Sequence, residues 1–159
     1  MPATYEPIAT TTLGSASATV DFTSIPSTYT DLVLVFSGST SSGNLGKLRF
    51  NSDTGSNYSC TILWATGSYK TSSRYTEPYL WVIPASANVM QNAIISINNY
   101  ANANTYKTYL ARANMPIESV GTTIGLWRNT NAITGIQFAL SSGNYTSGST
   151  FTLYGVKSA

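Results

Sequence analysis

Apolar and polar side chains alternate with a period of two along most of the chain. In residues 58–64, Tyr58, Cys60, Ile62 and Trp64 fall on one side and mainly polar residues on the other. This alternation is typical of a β-strand with one face in the core, so these four side chains are predicted to point inward. The same alternation predicts inward positions for Leu48, Phe50, Leu80, Val82, Ile136, Phe138, Leu140, Phe151 and Leu153.

Clusters of Gly, Ser and Asn separate the alternating segments and suit tight turns, because Gly accepts a positive φ and Asn and Ser bond to the nearby backbone. Pro26, Pro78, Pro84 and Pro116 lie at predicted strand ends, where a missing N–H does least harm. No segment of ten or more residues has helical spacing and caps. The predicted strands are residues 18–22, 31–37, 47–51, 58–65, 79–83, 92–98, 105–112, 122–127, 133–140 and 149–156.

These strands indicate an all-β fold in a single domain that spans residues 1–159. A single open sheet would leave one apolar face in water, so the strands are expected to form two packed sheets. We therefore predict a jelly-roll-like β-sandwich of roughly 8–10 antiparallel strands. The Thr-rich residues 1–13 suit two alternatives, an extended N-terminal arm or an edge strand of the same sandwich.

The composition argues against an enzyme. Only 9% of the 159 residues are charged, and there is no His, the side chain best suited to proton transfer near neutral pH. Without His, no Ser–His–acid triad can be assembled within the chain, and Cys60 is the only Cys, so no Cys/His metal cluster is available. We predict no catalytic, cofactor-binding or metal-binding residues and no cofactor.

The charge and hydropathy patterns argue against two classes of partner, nucleic acids and membranes. The basic residues occur singly and the net charge is +2, so no nucleic acid partner is predicted. The first residues lack the positive and apolar regions of a signal peptide, and no apolar run approaches the roughly 20 residues that cross a bilayer. We therefore expect no membrane partner and synthesis in a cytoplasm.

The acidic residues are the remaining candidates for a cation site or a catalytic pair. Asp53 begins an oxygen-rich segment, residues 53–57, but a calcium loop needs several carboxylates, which favours a plain turn. A glycosidase-type pair of carboxylates would have to come from six acids, and their spacing pairs no two of them. Those acids are Glu6, Asp21, Asp31, Asp53, Glu77 and Glu118.

Aromatic residues offer a candidate interaction surface, which consists of Tyr69, Arg74, Tyr75, Tyr79 and Trp81. The stretch has weak alternation and is interpreted as a long loop that enters a strand. Aromatic rings beside Arg are used by sugar-binding and protein-binding surfaces. The alternative, which we favour, is that these rings cover the ends of the sandwich, since Tyr is common in strands.

One segment of the chain resembles a pattern found in a known class of proteins. It is residues 20–32, with the sequence Val-Asp-Phe-Thr-Ser-Ile-Pro-Ser-Thr-Tyr-Thr-Asp-Leu. They resemble the Phe-x-x-Ile-Pro-x-x-Tyr-x-x-Leu pattern near the start of many small virion proteins of bacteriophages, including cyanophages. In physical terms the pattern is strand, corner and strand, with Pro26 setting the turn and Ile25 and Tyr29 filling the corner. Residues 48–59, 126–130 and 148–157 are also similar to those proteins, so the resemblance touches nearly the whole chain.

The resemblance implies a β-sandwich component of a virion. One role is a trimeric capsid cement (decoration) protein on the outer capsid surface, with a homotrimer and the major capsid protein as its partners. The alternative role is the receptor-binding or carbohydrate-binding tip of a tail fibre or spike, with a host glycan as partner. The short chain, which begins at its own Met1 without a shaft segment, favours the cement role.

Overall fold

The computed structural model describes residues 4–43, 46–82, 86–117 and 119–157, and these residues contain twelve β-strands. The strands are β1 (Tyr5–Thr12), β2 (Thr19–Phe22), β3 (Asp31–Gly38), β4 (Gly46–Phe50), β5 (Tyr58–Thr66), β6 (Lys70–Glu77), β7 (Leu80–Val82), β8 (Gln91–Asn98), β9 (Lys107–Met115), β10 (Ser119–Trp127), β11 (Ile136–Leu140) and β12 (Thr150–Val156). The predicted all-β class is confirmed, with two strands more than the predicted range.

The strands form two antiparallel sheets. The larger has eight strands in the order β1-β12-β3-β8-β9-β10-β5-β6, and the smaller has four in the order β2-β11-β4-β7. Alternate side chains of both sheets are buried in a shared core. The predicted β-sandwich is therefore confirmed.

The core contains the side chains that the alternation predicts. Tyr58, Cys60 and Ile62 are buried and Trp64 is half-buried, as expected for one face of β5. The nine other residues predicted to point inward are all buried: Leu48, Phe50, Leu80, Val82, Ile136, Phe138, Leu140, Phe151 and Leu153. Sequence periodicity thus identifies the buried face of most strands.

The corner after β2 also follows the sequence pattern. Ile25 is buried, and the ring of Tyr29 lies over Gly155, where a Cβ would be only 2.3 Å from the ring. The backbone N–H of Tyr29 donates to the hydroxyl of Tyr100, which in turn donates to the carbonyl of Pro26. The corner is therefore held against β12 and against the turn after β8.

For one segment the structure selects between two predicted alternatives, and for another it contradicts the prediction. Residues Tyr5–Thr12 form the edge strand β1, paired with β12, and not an extended arm, while residues 1–3 lie outside the described residues. The stretch interpreted as a long loop forms strand β6, paired with β5 along its whole length. Its alternation is weak because β6 is an edge strand on which no side chain is fully buried. Pro84 and the last residue of the predicted strand 79–83 lie outside the described residues.

Candidate functional site

Three of the five predicted surface residues form a cluster, the Tyr–Trp cluster, which consists of Tyr75, Tyr79 and Trp81. The ring centroids of Tyr79 and Trp81 are 4.6 Å apart in a T-shaped contact, and those of Tyr75 and Trp81 are 6.3 Å apart. All three side chains are half-buried. Strand β7 brings Trp81 to the edge of the smaller sheet, next to β4.

Two cations of β4 lie against the Tyr–Trp cluster. The Nζ of Lys47 is 4.4 Å from the ring centre of Tyr79 and 5.7 Å from that of Trp81. The guanidinium carbon of Arg49 is 5.7 Å from the ring centre of Tyr79, and its Nε donates to the carbonyl of Pro78 at 3.0 Å. Cation–π contacts at exposed sites contribute about 0.5–1 kcal/mol each, so they help to hold the rings in place.

A glycine in β10 helps to position the Tyr–Trp cluster, because it makes room for a tyrosine ring that bonds to the backbone of Trp81. A Cβ on Gly125 would lie 1.9 Å from the ring of Tyr109, so only glycine leaves room for that ring. Tyr109 then reaches the opposite sheet, where its hydroxyl donates to the backbone carbonyl of Trp81 at 2.6 Å. This bond ties β7, and with it Trp81, to the larger sheet.

The phenol of Tyr79 stays neutral at physiological pH. Burial, followed by the negative charge of Glu77, raises the pKa of Tyr79, while the positive charge of Arg49 acts in the opposite direction. A neutral phenol retains its O–H donor. The cluster therefore presents aromatic surface, a hydroxyl and two cations side by side.

The other two predicted surface residues lie elsewhere. Tyr69 is exposed in the turn before β6 and contacts Trp64, with ring centroids 6.0 Å apart. Arg74 is on the opposite side of β6 from Tyr75, because successive side chains of a strand point to opposite faces. The predicted five-residue surface is therefore wrong as a single site, and Lys47 and Arg49 are the neighbours that the sequence did not reveal.

A second and much larger surface lies on the eight-stranded sheet, on the side away from the smaller sheet. We call it the open face. It consists of the alternate outward residues of five neighbouring strands: Asn92 to Asn98, Thr108 to Asn114, Val120 to Leu126, Ser59 to Ala65 and Lys70 to Thr76. These twenty side chains are exposed or half-buried, and no described residue of the chain packs over them as a further layer.

Five large aliphatic side chains on four neighbouring strands of the open face form the aliphatic patch. Leu110 and Ile124 are directly opposite in the register of β9 and β10. The others are diagonal neighbours, which long side chains can bridge. The exposed fractions are 43% for Leu63, 37% for Ile94, 47% for Leu110, 61% for Val120 and 53% for Ile124. A contiguous exposed patch of this kind is a common feature of interaction sites.

The sequence signal for the aliphatic patch is the presence of apolar residues in the outward phase of several strands. Leu63, Ile94 and Ile124 occupy the phase of each strand that the alternation assigns to solvent. An apolar residue in the outward phase is common when it occurs singly. Only the register of four strands brings five of them together.

The charges on the open face are all positive, and the neighbouring strand β3 adds one acid, Asp31, on the same side of the sheet. Lys70 and Arg74 lie on β6 and Arg112 lies on β9, between Ile94 and Thr122 in the register. None of the twenty residues of the open face is acidic. A shallow depression of about 400 Å³ beside the patch is lined in part by Leu63, Val120 and Lys70.

The segment that begins at Asp53 is a turn. Its carboxylate accepts hydrogen bonds from the Trp127 indole at 2.7 Å, the Asn57 amide at 2.9 Å and the Gly55 backbone N–H at 2.8 Å. Burial acts to raise the pKa of Asp53, but these donors together lower the pKa below its usual value. Both carboxylate oxygens are thus occupied by N–H groups, as in an Asx turn.

The other acids are spread over the molecule. Glu6 pairs with Lys157 at 2.7 Å, Asp21 accepts from Gln137, and Asp31 accepts from the backbone of Asn99. Glu118 lies outside the described residues. Within the described part of the chain, no three His, Cys, Asp or Glu residues group to hold a metal ion. Over the same residues, no helix is long and apolar enough to cross a membrane.

Comparisons with known proteins assign no family to the chain. No family model and no curated protein matches the chain. Among solved structures, a tetrameric galectin from the ball sponge Cinachyrella sp. has 13% identity and a TM-score of 0.39, covering 87% of this chain and 99% of its own. The alginate lyase Aly36B has 12% identity and a TM-score of 0.37, covering 92% of this chain and 77% of its own.

Proposed function

We propose that this protein is a structural component of a virion, a capsid cement protein that binds the major capsid protein on the outer surface of the shell. The single observation that carries the proposal is the open face, which exposes five large aliphatic side chains on four neighbouring strands. Such a surface fits a protein whose task is to bind another protein. The proposal includes no catalytic step.

The surface chemistry supports this role. Ser, Thr and Asn replace charged residues over most of the exterior, and the net charge is only +2, so copies repel one another weakly. A homotrimer, which the resemblance implies, would dock through several identical surfaces at once. Multivalent docking makes modest individual contacts strong in aggregate, which is how a cement protein opposes the outward pressure of packaged DNA.

The proposal is tested by the copy number of the chain in purified virions, measured by quantitative mass spectrometry against the major capsid protein. We expect a ratio near that of the shell protein or a fixed simple fraction of it. A handful of copies per particle would contradict the cement role and favour a tail location. Absence from the particle would contradict both.

The Tyr–Trp cluster favours a second candidate function, carbohydrate binding at the tip of a tail fibre or spike. Half-buried rings of Tyr79 and Trp81 beside Lys47 and Arg49 combine an aromatic surface with hydrogen-bond donors. Sugars stack on aromatic rings through their apolar faces while the donors contact their oxygens. The two cations favour glycans that carry carboxylates or sulfates.

The second candidate is tested on an array of neutral and acidic glycans. We expect wild-type binding that Tyr79→Ala reduces at least tenfold and that Tyr69→Ala leaves unchanged, because Tyr69 lies outside the cluster. Equal loss in both variants would show that the cluster is not the site. No binding by the folded wild-type protein would count against the function itself.

A further inference from the structure

We infer that the open face is the docking surface for another protein, and that the partner meets the aliphatic patch with apolar side chains and its cations with carboxylates. This inference rests on the proposed function, in which the partner is the major capsid protein. The inference extends the proposed function in two ways: it names the face of this protein that binds the partner, and it names the side chains that the partner must present.

The size of the open face suits one side of a specific interface. Five strands about 4.8 Å apart and four rows about 6.7 Å apart span roughly 600 Å² in projection. Specific protein interfaces bury about 800 Å² of accessible surface on each partner. Because side chains corrugate the sheet, its accessible area exceeds the projected area and approaches that figure.

The arrangement of the open face resembles that of a protein interface. Leu110 and Ile124 lie at its centre, while Lys70 and Arg74 lie on β6 at the edge of the sheet. Protein interfaces have an apolar core and a polar rim. Arg112, between Ile94 and Thr122, offers a planar donor group that can hold a carboxylate with two hydrogen bonds.

The charge of the open face selects among occupants. It carries three positive charges and no negative charge, more than the net charge of +2 of the whole chain. A second copy placed face to face would bring the same three cations, and the carboxylate that β3 adds beside the face, Asp31, already accepts from the backbone N–H of Asn99. A nucleic acid would satisfy the cations but would leave the aliphatic patch without an apolar partner. A protein surface with apolar residues and carboxylates satisfies both.

The experiment uses capsid shells that lack this protein, purified from particles of a virus in which the gene for this chain has been deleted. Purified full-length chain is added, and the bound fraction is measured by co-sedimentation over a series of salt concentrations. We expect wild-type binding that weakens as salt rises, since salt screens pairs of exposed charges. The double variant Leu110→Ser/Ile124→Ser should bind at least tenfold more weakly at every salt concentration.

Charge variants give an independent readout. The double variant Lys70→Gln/Arg112→Gln should bind more weakly at low salt and should lose most of the salt dependence. Matched controls lie outside the open face: Tyr5→Ser removes an exposed apolar side chain on β1, and Lys157→Gln removes a cation near the end of the chain. Both controls should bind as the wild type does, and thermal unfolding confirms that each variant is folded.

The outcomes distinguish failure of the docking surface alone from failure of the cement role on which it rests. Binding of the wild type that neither double variant reduces would overturn the docking surface and leave the cement role intact. Failure of the wild type to bind would overturn the cement role and the docking surface together. If Leu110→Ser/Ile124→Ser instead lowers the oligomer mass in solution, the face is an interface between copies, which also overturns the inference. Stronger wild-type binding to duplex DNA than to shells would overturn it as well.

Discussion

At the scale of single residues, Asp53 joins two segments that lie far apart in the chain. Its carboxylate accepts the indole N–H of Trp127, and the carbonyl of Asn57 accepts the backbone N–H of Arg128. The nearby Asn51 accepts the N–H groups of two residues of the loop before β11, those of Thr134 and Gly135. Two segments that carry the resemblance to virion proteins, 48–59 and 126–130, therefore meet in the structure and stabilise it.

We predict that Asp53→Asn destabilises the protein by about 1–3 kcal/mol at pH 7, because an amide cannot accept all three N–H donors. The folded-state pKa of Asp53 is lowered, so its contribution is present above about pH 4 and is lost as the pH falls through that folded pKa. Urea unfolding at several pH values measures both effects.

The matched control for this prediction is Asp21→Asn, which keeps the oxygen that accepts from Gln137. It should change stability by less than about 0.5 kcal/mol, as is usual for surface substitutions. Two results would contradict the role given to the carboxylate. One is an Asp53→Asn variant as stable as the wild type at pH 7, and the other is a variant whose free energy of unfolding falls with acid as much as that of the wild type.

Lys107 shows how far a single residue can depart from expectation for its type. Its side chain is fully buried, and its Nζ donates to the carbonyls of Asn102, Thr105 and Thr130. Three acceptors satisfy the three N–H groups of the ammonium, which explains how a charge can be buried here. The alternation of β9 places residue 107 in the inward phase with Tyr109, although its charge predicts exposure.

At the scale of elements, the edge strands are where sequence pattern is weakest. β1 and β6 close the two edges of the eight-stranded sheet, and neither buries a complete row of side chains. A bulge between Pro7 and Ala9 interrupts the pairing of β1, while β6 carries Lys70 and Arg74. Proline, bulges and charges are the features that protect edge strands from pairing with another chain.

Strand β10 supplies the element-scale prediction, because its Gly125 lies beneath the ring of Tyr109. We predict that Gly125→Ala destabilises the protein by about 1–3 kcal/mol, since the added methyl displaces that ring and breaks its bond to the carbonyl of Trp81. Thermal and urea unfolding measure the loss. Gly14→Ala is the control, as a Cβ there meets no atom within 4 Å; equal stability of the two variants would contradict the prediction.

At the scale of the whole molecule, one core links the two sheets. Phe36 and Phe151 of the larger sheet contact Phe138 of the smaller sheet at centroid distances of 5.7 and 5.4 Å. At the other end, the hydroxyl of Tyr58 accepts from the backbone N–H of Phe50 at 3.1 Å. Burial raises the pKa of Tyr58 to about 12, so this hydroxyl stays protonated.

We predict that the two sheets unfold together in one cooperative transition, because each buries its apolar side only against the other. Near-UV circular dichroism follows the packing of the aromatic rings, and far-UV circular dichroism follows the strands. The two urea transitions should coincide. A near-UV signal lost well before the far-UV signal would show that the sheets hold together less tightly than the shared core requires.

The sequence by itself determined the fold class, most strands and the side of each strand that faces the core, because side chains alternate along a strand and burial selects one phase. Proximity in the sequence also predicted Tyr75, Tyr79 and Trp81 of the Tyr–Trp cluster. Tertiary structure decided the other members of both sites, because they come from separate strands. Register brought Leu63, Ile94, Leu110, Val120 and Ile124 together on the open face and placed Arg74 there, away from the Tyr–Trp cluster. No local pattern records which strands become neighbours, so these surfaces exist only once both sheets are assembled.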